Sequence, residues 1–447
     1  MLTSKMKWLR FSPPQILVFG FAATILIGTM LLMLPISNTT GEPLNFMDAF
    51  FTATSATCVT GLVVVDTGTF FSSFGQVVIM LLIQVGGVGF MTMATLFALV
   101  LKRRITLKDR LVLQESLNQS AMAGIVQLIR RVLLYSFVIE TCGALLLTVR
   151  FAFDMPFGKA LYYGIFHAIS MFNNAGFDLF GDFRSLTGFV YDPLVNFVVM
   201  FLIVSGGIGF VVLADLVDYK NKRKLSLHSK VVLSMTGTLI LIGAIVIFIF
   251  EFTNPKTLGS LNWGGKILGS LFQSVTPRTA GANTVDITEL RQASQFFMVI
   301  LMFIGASPGS TGGGIKTTTF TMMIAAVIAM IRGRDDIVLF RFRLVQERIL
   351  KALTITLLAL LLIITVSMIL STTEDSSFLS ILFEATSAFG TVGLSMGLTP
   401  ELSLFGKLLI SITMFAGRLG PLTLAYALGP KKGKELYRHP EGKMIIG

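Results

Sequence analysis

The residues able to do chemistry in this chain are four short glycine-centred segments, each set between long apolar stretches. They are Val59-Thr60-Gly61-Leu62, Asn174-Ala175-Gly176-Phe177, Thr279-Ala280-Gly281-Ala282 and Thr391-Val392-Gly393-Leu394. The glycines are 115, 105 and 112 residues apart. One such loop per unit of that length describes a fourfold arrangement folded from a single chain. Glycine permits backbone angles that aim successive carbonyls inward. Four loops offering carbonyls to one axis can replace the water shell of a cation. Thr391-Val392-Gly393 also matches the start of the TVGYG potassium-channel motif. The other three segments keep only the glycine, so any one of them alone reads equally well as a turn between helices. The common register of all four carries the inference.

A second group lies in the segment Gly305-Ala306-Ser307-Pro308-Gly309-Ser310-Thr311-Gly312-Gly313-Gly314-Ile315-Lys316-Thr317. Pro308, the glycines Gly305, Gly309, Gly312, Gly313 and Gly314, and Lys316 do not suit a lipid-exposed helix. Unwound backbone at membrane depth is tolerated only where it is buried or lines a cavity. The segment starts 24 residues after Gly281, which places it just cytoplasmic of that loop. With Ser307, it reads as a flexible gate, the alternative being a static kink. Arg418 follows Gly393 by 25 residues, a similar depth. Intramembrane charge is expensive and usually functional. A cation there raises a barrier to cation flow and can bind gate-loop carbonyls; pairing with Glu140 is the bland alternative. The same segment fails as a nucleotide-binding P-loop, because Ile315 separates the last glycine from Lys316.

Around these groups the sequence repeats one plan four times: outer helix, short half-helix, glycine loop, second helix. The outer helices read as 15–35, 132–153, 231–252 and 349–371. The half-helices fall near 45–57, 158–172, 264–275 and 376–389. The second helices read as 74–101, 194–217, 293–331 and 402–428. Phe51 and Phe383 stand at one spacing before Gly61 and Gly393, and Phe166 keeps it before Gly176. Phe272 is one residue closer to Gly281. Segments of about 20 apolar residues span a bilayer, and the half-helices are too short to do so. The domain limits are 1–105, 106–224, 225–334 with the gate loop at 305–317, 335–429, and a cytoplasmic tail at 430–447. Two crossings per repeat give all four repeats one orientation, unlike the inverted repeats of many carriers. The fold class is therefore all-α integral membrane, with eight transmembrane helices and four re-entrant pore helices around a pseudo-fourfold pore.

Composition agrees. Of 447 residues 53% are hydrophobic and 13% charged, against about 25% charged in soluble domains. The net charge of +12 would suggest nucleic acid in a soluble protein. Here 26 of the 36 Lys and Arg sit in the N-terminus, 101–131, 218–230, 331–351 and 430–447. These are alternate ends of the apolar segments, so the positive-inside rule makes them, and both termini, cytoplasmic. Contact with anionic membrane lipids accounts for most of that charge. Cys58 and Cys142 support no disulfide, and His167, His228 and His439 are scattered, so metal and nucleophile chemistry have little support. The chain reads as a non-enzyme that binds no cofactor of its own.

These residues together resemble the Trk/Ktr/HKT superfamily of potassium translocation proteins. The resemblance rests on the fourfold plan, Ser55-Ala56-Thr57-Cys58-Val59-Thr60-Gly61-Leu62, Thr276-Pro277-Arg278-Thr279-Ala280-Gly281, the segment from Ser307 to Lys316, and Gly417-Arg418-Leu419-Gly420-Pro421. It covers nearly the whole chain and is greatest to the membrane subunit of bacterial Ktr systems. It implies potassium uptake at the cell membrane through a selectivity filter at Gly61, Gly176, Gly281 and Gly393. It also implies a gate at 305–316 and a pore arginine at Arg418. It implies a homodimer with one pore per subunit and a cytoplasmic ring of RCK-type regulatory subunits that carry the nucleotide. Sodium dependence is common in Ktr systems. In plant relatives a serine at the first filter glycine goes with sodium selectivity, so Gly61 favours potassium. The alternative reading is a sodium- or proton-coupled potassium symporter.

Overall fold

The computed structural model describes residues 12–89, 92–93, 111–114 and 125–428. The basic N-terminus, most of the 101–131 stretch and the tail at 430–447 lie outside the described residues.

The same order of helices recurs four times. The first unit has α1 (Pro13–Leu32), α2 (Phe46–Thr57) and α3 (Ser73–Val88). The second has α4 (Ile125–Phe151), α5 (Phe157–Phe172), α6 (Pro193–Gly207) and α7 (Phe210–Lys222). The third has α8 (Leu227–Glu251), α9 (Trp263–Val275), α10 (Gln292–Ile304) and α11 (Thr317–Ile331). The fourth has α12 (Gln346–Thr373), α13 (Phe378–Gly390), α14 (Leu404–Leu419) and α15 (Pro421–Leu428). A two-stranded hairpin, Val338–Leu339 paired with Phe342–Arg343, joins α11 to α12. It was not expected; its turn at Phe340 and Arg341 has positive φ at both residues, the mirror-image turn that matches strand twist.

Local chemistry sets the short helices. Asn45, Asn262 and Ser377 cap α2, α9 and α13 by accepting the amides of Asp48, Gly265 and Ser380. Such caps satisfy amides that have no partner within the helix. The phenylalanines that set the register, Phe51, Phe166, Phe272 and Phe383, are all fully buried. Four helices, α1, α4, α8 and α12, are long and apolar enough to cross a membrane. Counting the bent pairs α6–α7 and α14–α15 makes six among the described residues. Outward apolar side chains such as Phe137, Ile249, Leu361 and Met368 suit contact with lipid.

The structure corrects one expectation. In the first, second and fourth units the second helix is interrupted rather than continuous, as was expected only of the third. Glycines at positive φ stop it in three units: Gly89, Gly209 and Gly420, at +90°, +93° and +83°. The chain bends by 102° between α6 and α7 and by 94° between α14 and α15. In the third unit residues 305–316 separate α10 from α11. The neighbouring glycines serve close packing instead. A Cβ at Gly86, Gly206 or Gly417 would collide with the carbonyl oxygen of Thr57, Phe172 or Phe389 respectively. These acceptors are pseudo-equivalent: each lies four residues before its loop glycine. In three units, then, a glycine lets the second helix press on the C-terminal end of the short helix.

Units pack on their neighbours in order, and the fourth returns to the first. Helix α14 packs against both α13 and α2. There Lys407 Nζ pairs with Asp48 Oδ1 at 2.7 Å in a largely buried setting. Gly86→Ala should lower thermal stability by about 1–3 kcal/mol through overpacking. Gly237→Ala, whose Cβ would meet nothing within 4 Å in mid-helix α8, should raise it by up to about 1 kcal/mol. Melting of the detergent-purified variants checks both signs.

Candidate functional site

Each short helix ends in its glycine loop, and the four loops share one backbone pattern. Val59, Asn174, Thr279 and Thr391 have φ of +52°, +59°, +81° and +49°. Two residues later Gly61, Gly176, Gly281 and Gly393 have φ of +92°, +69°, +78° and +90°. Positive φ is sparsely populated by residues other than glycine, so its recurrence at one position of four loops is a built feature. In an extended strand successive carbonyls alternate sides; a left-handed residue at every second position turns them to one side.

The amides face the other way, toward the short helices. Thr60, Ala175 and Val392 donate backbone N–H to the carbonyls of Ser55, Ser170 and Ser387 at 2.8, 2.8 and 2.9 Å. Ala280 donates to Thr276 O at 2.9 Å. The hydroxyls of the same residues add a second anchor. Ser55 and Ser387 accept from the amides of Gly61 and Gly393 at 3.0 and 3.1 Å. Ser170 donates to Phe177 O at 2.7 Å, and Thr276 donates to Ala282 O. Sequence reasoning missed this anchoring role. Its signal is a hydroxyl residue six positions before the glycine in three loops and five before it in the third.

The loops close on one another. A Cβ added at Gly61 would strike Ala175 O; at Gly176, Ala280 O; at Gly281, Val392 O; and at Gly393, Thr60 O. Each contact leads to the next unit, and the last returns to the first, so the four glycines stand in a closed ring. Thr60, Ala175, Ala280 and Val392 are fully buried. Among the described residues no hydrogen bond reaches their carbonyl oxygens, nor those of the four glycines. Buried carbonyls are nearly always partnered. Eight without a partner, around one centre, offer ligands to a dehydrated cation. The four short helices end at this centre, and their C-terminal dipoles favour positive charge there.

Residues 305–316 lie against this ring. Gly313 N donates to Thr391 Oγ1 at 2.9 Å, and a Cβ at Gly312 would collide with the Thr279 side chain. Thr279 is also tied to Asn174: with the Asn174 amide nitrogen turned to Phe172 O and Ile203 O, its oxygen accepts from the Thr279 hydroxyl at 2.9 Å. Ser307 N and Thr311 N donate to Gly207 O and Gly206 O at 2.9 and 3.2 Å, and Gly309 O accepts from Phe210 N at 2.9 Å. Pro308 O packs against Gly209, and Gly305 against Gly313 and Gly314. Ser307 Oγ and Thr317 Oγ1 share a hydrogen bond of 2.8 Å.

Two cations hold three consecutive carbonyls of that loop. Lys316 Nζ reaches Gly312 O at 2.5 Å and Gly313 O at 3.2 Å. Arg418 donates to Thr311 O, and also to Gly86 O and to Gly87 O, the last at 3.1 Å. It thereby bridges the loop and the end of α3. Among the described residues no carboxylate pairs with either cation. The alternative pairing of Arg418 with Glu140 is not formed: Glu140 accepts from Gln84 at 3.1 Å and Asn173 at 3.0 Å.

Gly281→Ala combines a positive φ with a backbone collision inside the ring. It should cost about 2–5 kcal/mol of stability and abolish any thermal stabilisation that monovalent cations give the purified chain. Retained cation-dependent stabilisation would place the cation elsewhere.

Residues 12–431 match the family model TrkH, described as a cation transport protein. Over 443 residues the chain is 48% identical to Ktr system potassium uptake protein B of Bacillus subtilis, covering 99% of this chain and 98% of that one. It is 41% identical to the potassium/sodium uptake protein NtpJ of Enterococcus hirae, covering 98% of each. Its fold is similar to the crystal structure of the potassium transporter TrkH from Vibrio parahaemolyticus, with a TM-score of 0.73, 18% identity, and coverage of 95% of this chain and 86% of that one. A mostly helical membrane fold, a ring of unpartnered carbonyls and full-length likeness to transport proteins rather than enzymes lead to one assignment: the chain belongs to the TrkH family of cation transport proteins.

Proposed function

We propose that this chain takes up potassium across the cell membrane through a selectivity filter made by its four glycine loops. The observation that carries the reading is the closed ring of glycines with eight carbonyls that have no partner among the described residues, seven of them on buried residues. Potassium is favoured by the 48% identical relative, which is named a potassium uptake protein. In this reading the units are four parallel repeats, eight crossings in all. The short helices α2, α5, α9 and α13 are re-entrant pore helices, and both termini are cytoplasmic.

The loop at 305–317 is the gate. Lys316 and Arg418 hold its carbonyls and set positive charge below the filter, which opposes cation passage while the loop stays in place. Removing the loop from the ring would break the Gly313–Thr391 bond and the Arg418–Thr311 bond. The chain acts as a homodimer with a cytoplasmic RCK-type ring that carries the regulatory nucleotide. The name of the 48% identical relative, a protein of a Ktr system, supports a companion subunit. Sodium dependence is supported by the relative named for potassium and sodium; a coupled symporter would stop carrying potassium when sodium is withdrawn from a flux assay on purified protein.

The reading is tested in cells lacking their own potassium uptake, supplied with a regulatory ring subunit. The chain should restore growth at low potassium, and Gly61→Ser should weaken rescue or shift it toward sodium. Rescue untouched by Gly61→Ser would move the selective site away from these loops. Arg418→Gln should raise flux or abolish its regulation; ordinary transport kinetics would remove Arg418 from the gate.

A further inference from the structure

One position of the four short helices is chemically different in every unit. Nine residues before the loop glycine stand Thr52, His167 and Glu384, and Gln273 stands eight before Gly281, matching the one-residue shift of Phe272. All four are buried. Three of them reach past the ring to the segment that leaves it. Glu384 Oε2 accepts from Ser395 Oγ at 2.9 Å, and Oε1 accepts from Thr399 Oγ1. Gln273 Nε2 donates to Val285 O at 3.3 Å. His167 Nε2 accepts from Leu179 N at 3.3 Å, with Nδ1 at 2.7 Å from Tyr163 O. The phenol of Tyr163 completes that last brace by donating to Leu179 O at 2.9 Å. Thr52 is the exception: its hydroxyl has no partner among the described residues.

We infer that His167, Gln273 and Glu384 are positioning residues that hold the outer end of the carbonyl ring open and so set its preference for potassium over sodium. The inference rests on the filter reading above and adds residues that touch no ion. Each loop is fixed on its inner side by the Ser55, Ser170, Thr276 or Ser387 anchor. Without a further anchor on the segment that leaves the ring, the carbonyls between are free to close on a smaller ion. Discrimination by ligand spacing, or by the number and field strength of ligands, fails alike when the ligands move. The braces differ in strength. Glu384 is met by two hydroxyl donors, whereas Gln273 makes one bond at 3.3 Å, so Glu384 should matter most.

The test is rubidium-86 uptake by cells carrying the full chain and its regulatory subunit, with sodium and potassium as competitors. The readout is the ratio of their inhibitory concentrations, which a loss of folded protein alone does not move. Glu384→Gln should reduce the preference for potassium by about two- to tenfold, Gln273→Leu by less, and Thr52→Val not at all. Should Glu384→Gln fail to reach the membrane, Ser395→Ala with Thr399→Val removes the same bonds from the other side. An unchanged ratio in transporting Glu384→Gln or in the double variant overturns the inference, as does an equal change in Thr52→Val. Gly61→Ser separates the two levels. If it changes the ratio and the brace variants do not, the filter stands and the braces fall; if it leaves the ratio unchanged, the filter reading falls first.

Discussion

The structure depends on the approach of one backbone to the next at four glycines. Each glycine faces a carbonyl oxygen of the following unit so closely that a single methyl group would collide with it. That contact fixes the distance between loops without any side chain intervening. It also demands that the helices behind the loops be set accurately, because no adaptable side chain is present to absorb an error. The close seats of Gly86, Gly206 and Gly417 on the ends of the short helices meet the same demand from behind. Small residues at both surfaces allow the approach that membrane helices use when apolar burial cannot drive association.

The ring divides backbone polarity by direction. Amides are satisfied outward by Ser55, Ser170, Thr276 and Ser387, and the carbonyls beside them are left to the centre. An unmade hydrogen bond on a buried group costs about 1–3 kcal/mol, and a cation held there, as proposed, would offset that cost. The packed short helices are what keep the ring from collapsing to bond with itself. The loop at 305–316 uses the opposite chemistry a short distance away. Its carbonyls are met by Lys316 and Arg418, two cations that belong to the chain itself.

Much of this was legible in the sequence, for reasons that can be named. The loop glycines and the phenylalanines before them are one-residue features at constant spacing, and their phase survives unrelated residues between them. The charge of Arg418 in an apolar run marked it for function, and the run of glycines with Pro308 marked unwound backbone. Partners were not legible. Gate-loop carbonyls were expected for Arg418, but nothing in the order of residues names Thr311 or adds Gly86, and nothing says that Glu140 meets Gln84 of the first unit and Asn173 of its own. The interruption of the second helices was misjudged because three glycines stand together in the first two units. Gly86 and Gly206 serve close packing, and only Gly89 and Gly209, at positive φ, stop the helix. The anchoring roles of Ser55, Ser170, Thr276 and Ser387 emerge only from the geometry of the loops.

The pair between Lys407 and Asp48 joins residues 359 positions apart, and the collision of Gly393 with Thr60 spans nearly as much. Both belong to the seam between the fourth unit and the first. A chain made from its N-terminus toward its C-terminus folds its early units first, so this seam is the last to close. Until then three quarters of a circle stand with carbonyls exposed at one flank and Asp48 without its cation. A chain that stops before α14 therefore carries an open polar edge inside the bilayer. Assembly of this protein thus ends with a recognition event between its own ends, and an unfinished copy is chemically distinguishable from a finished one.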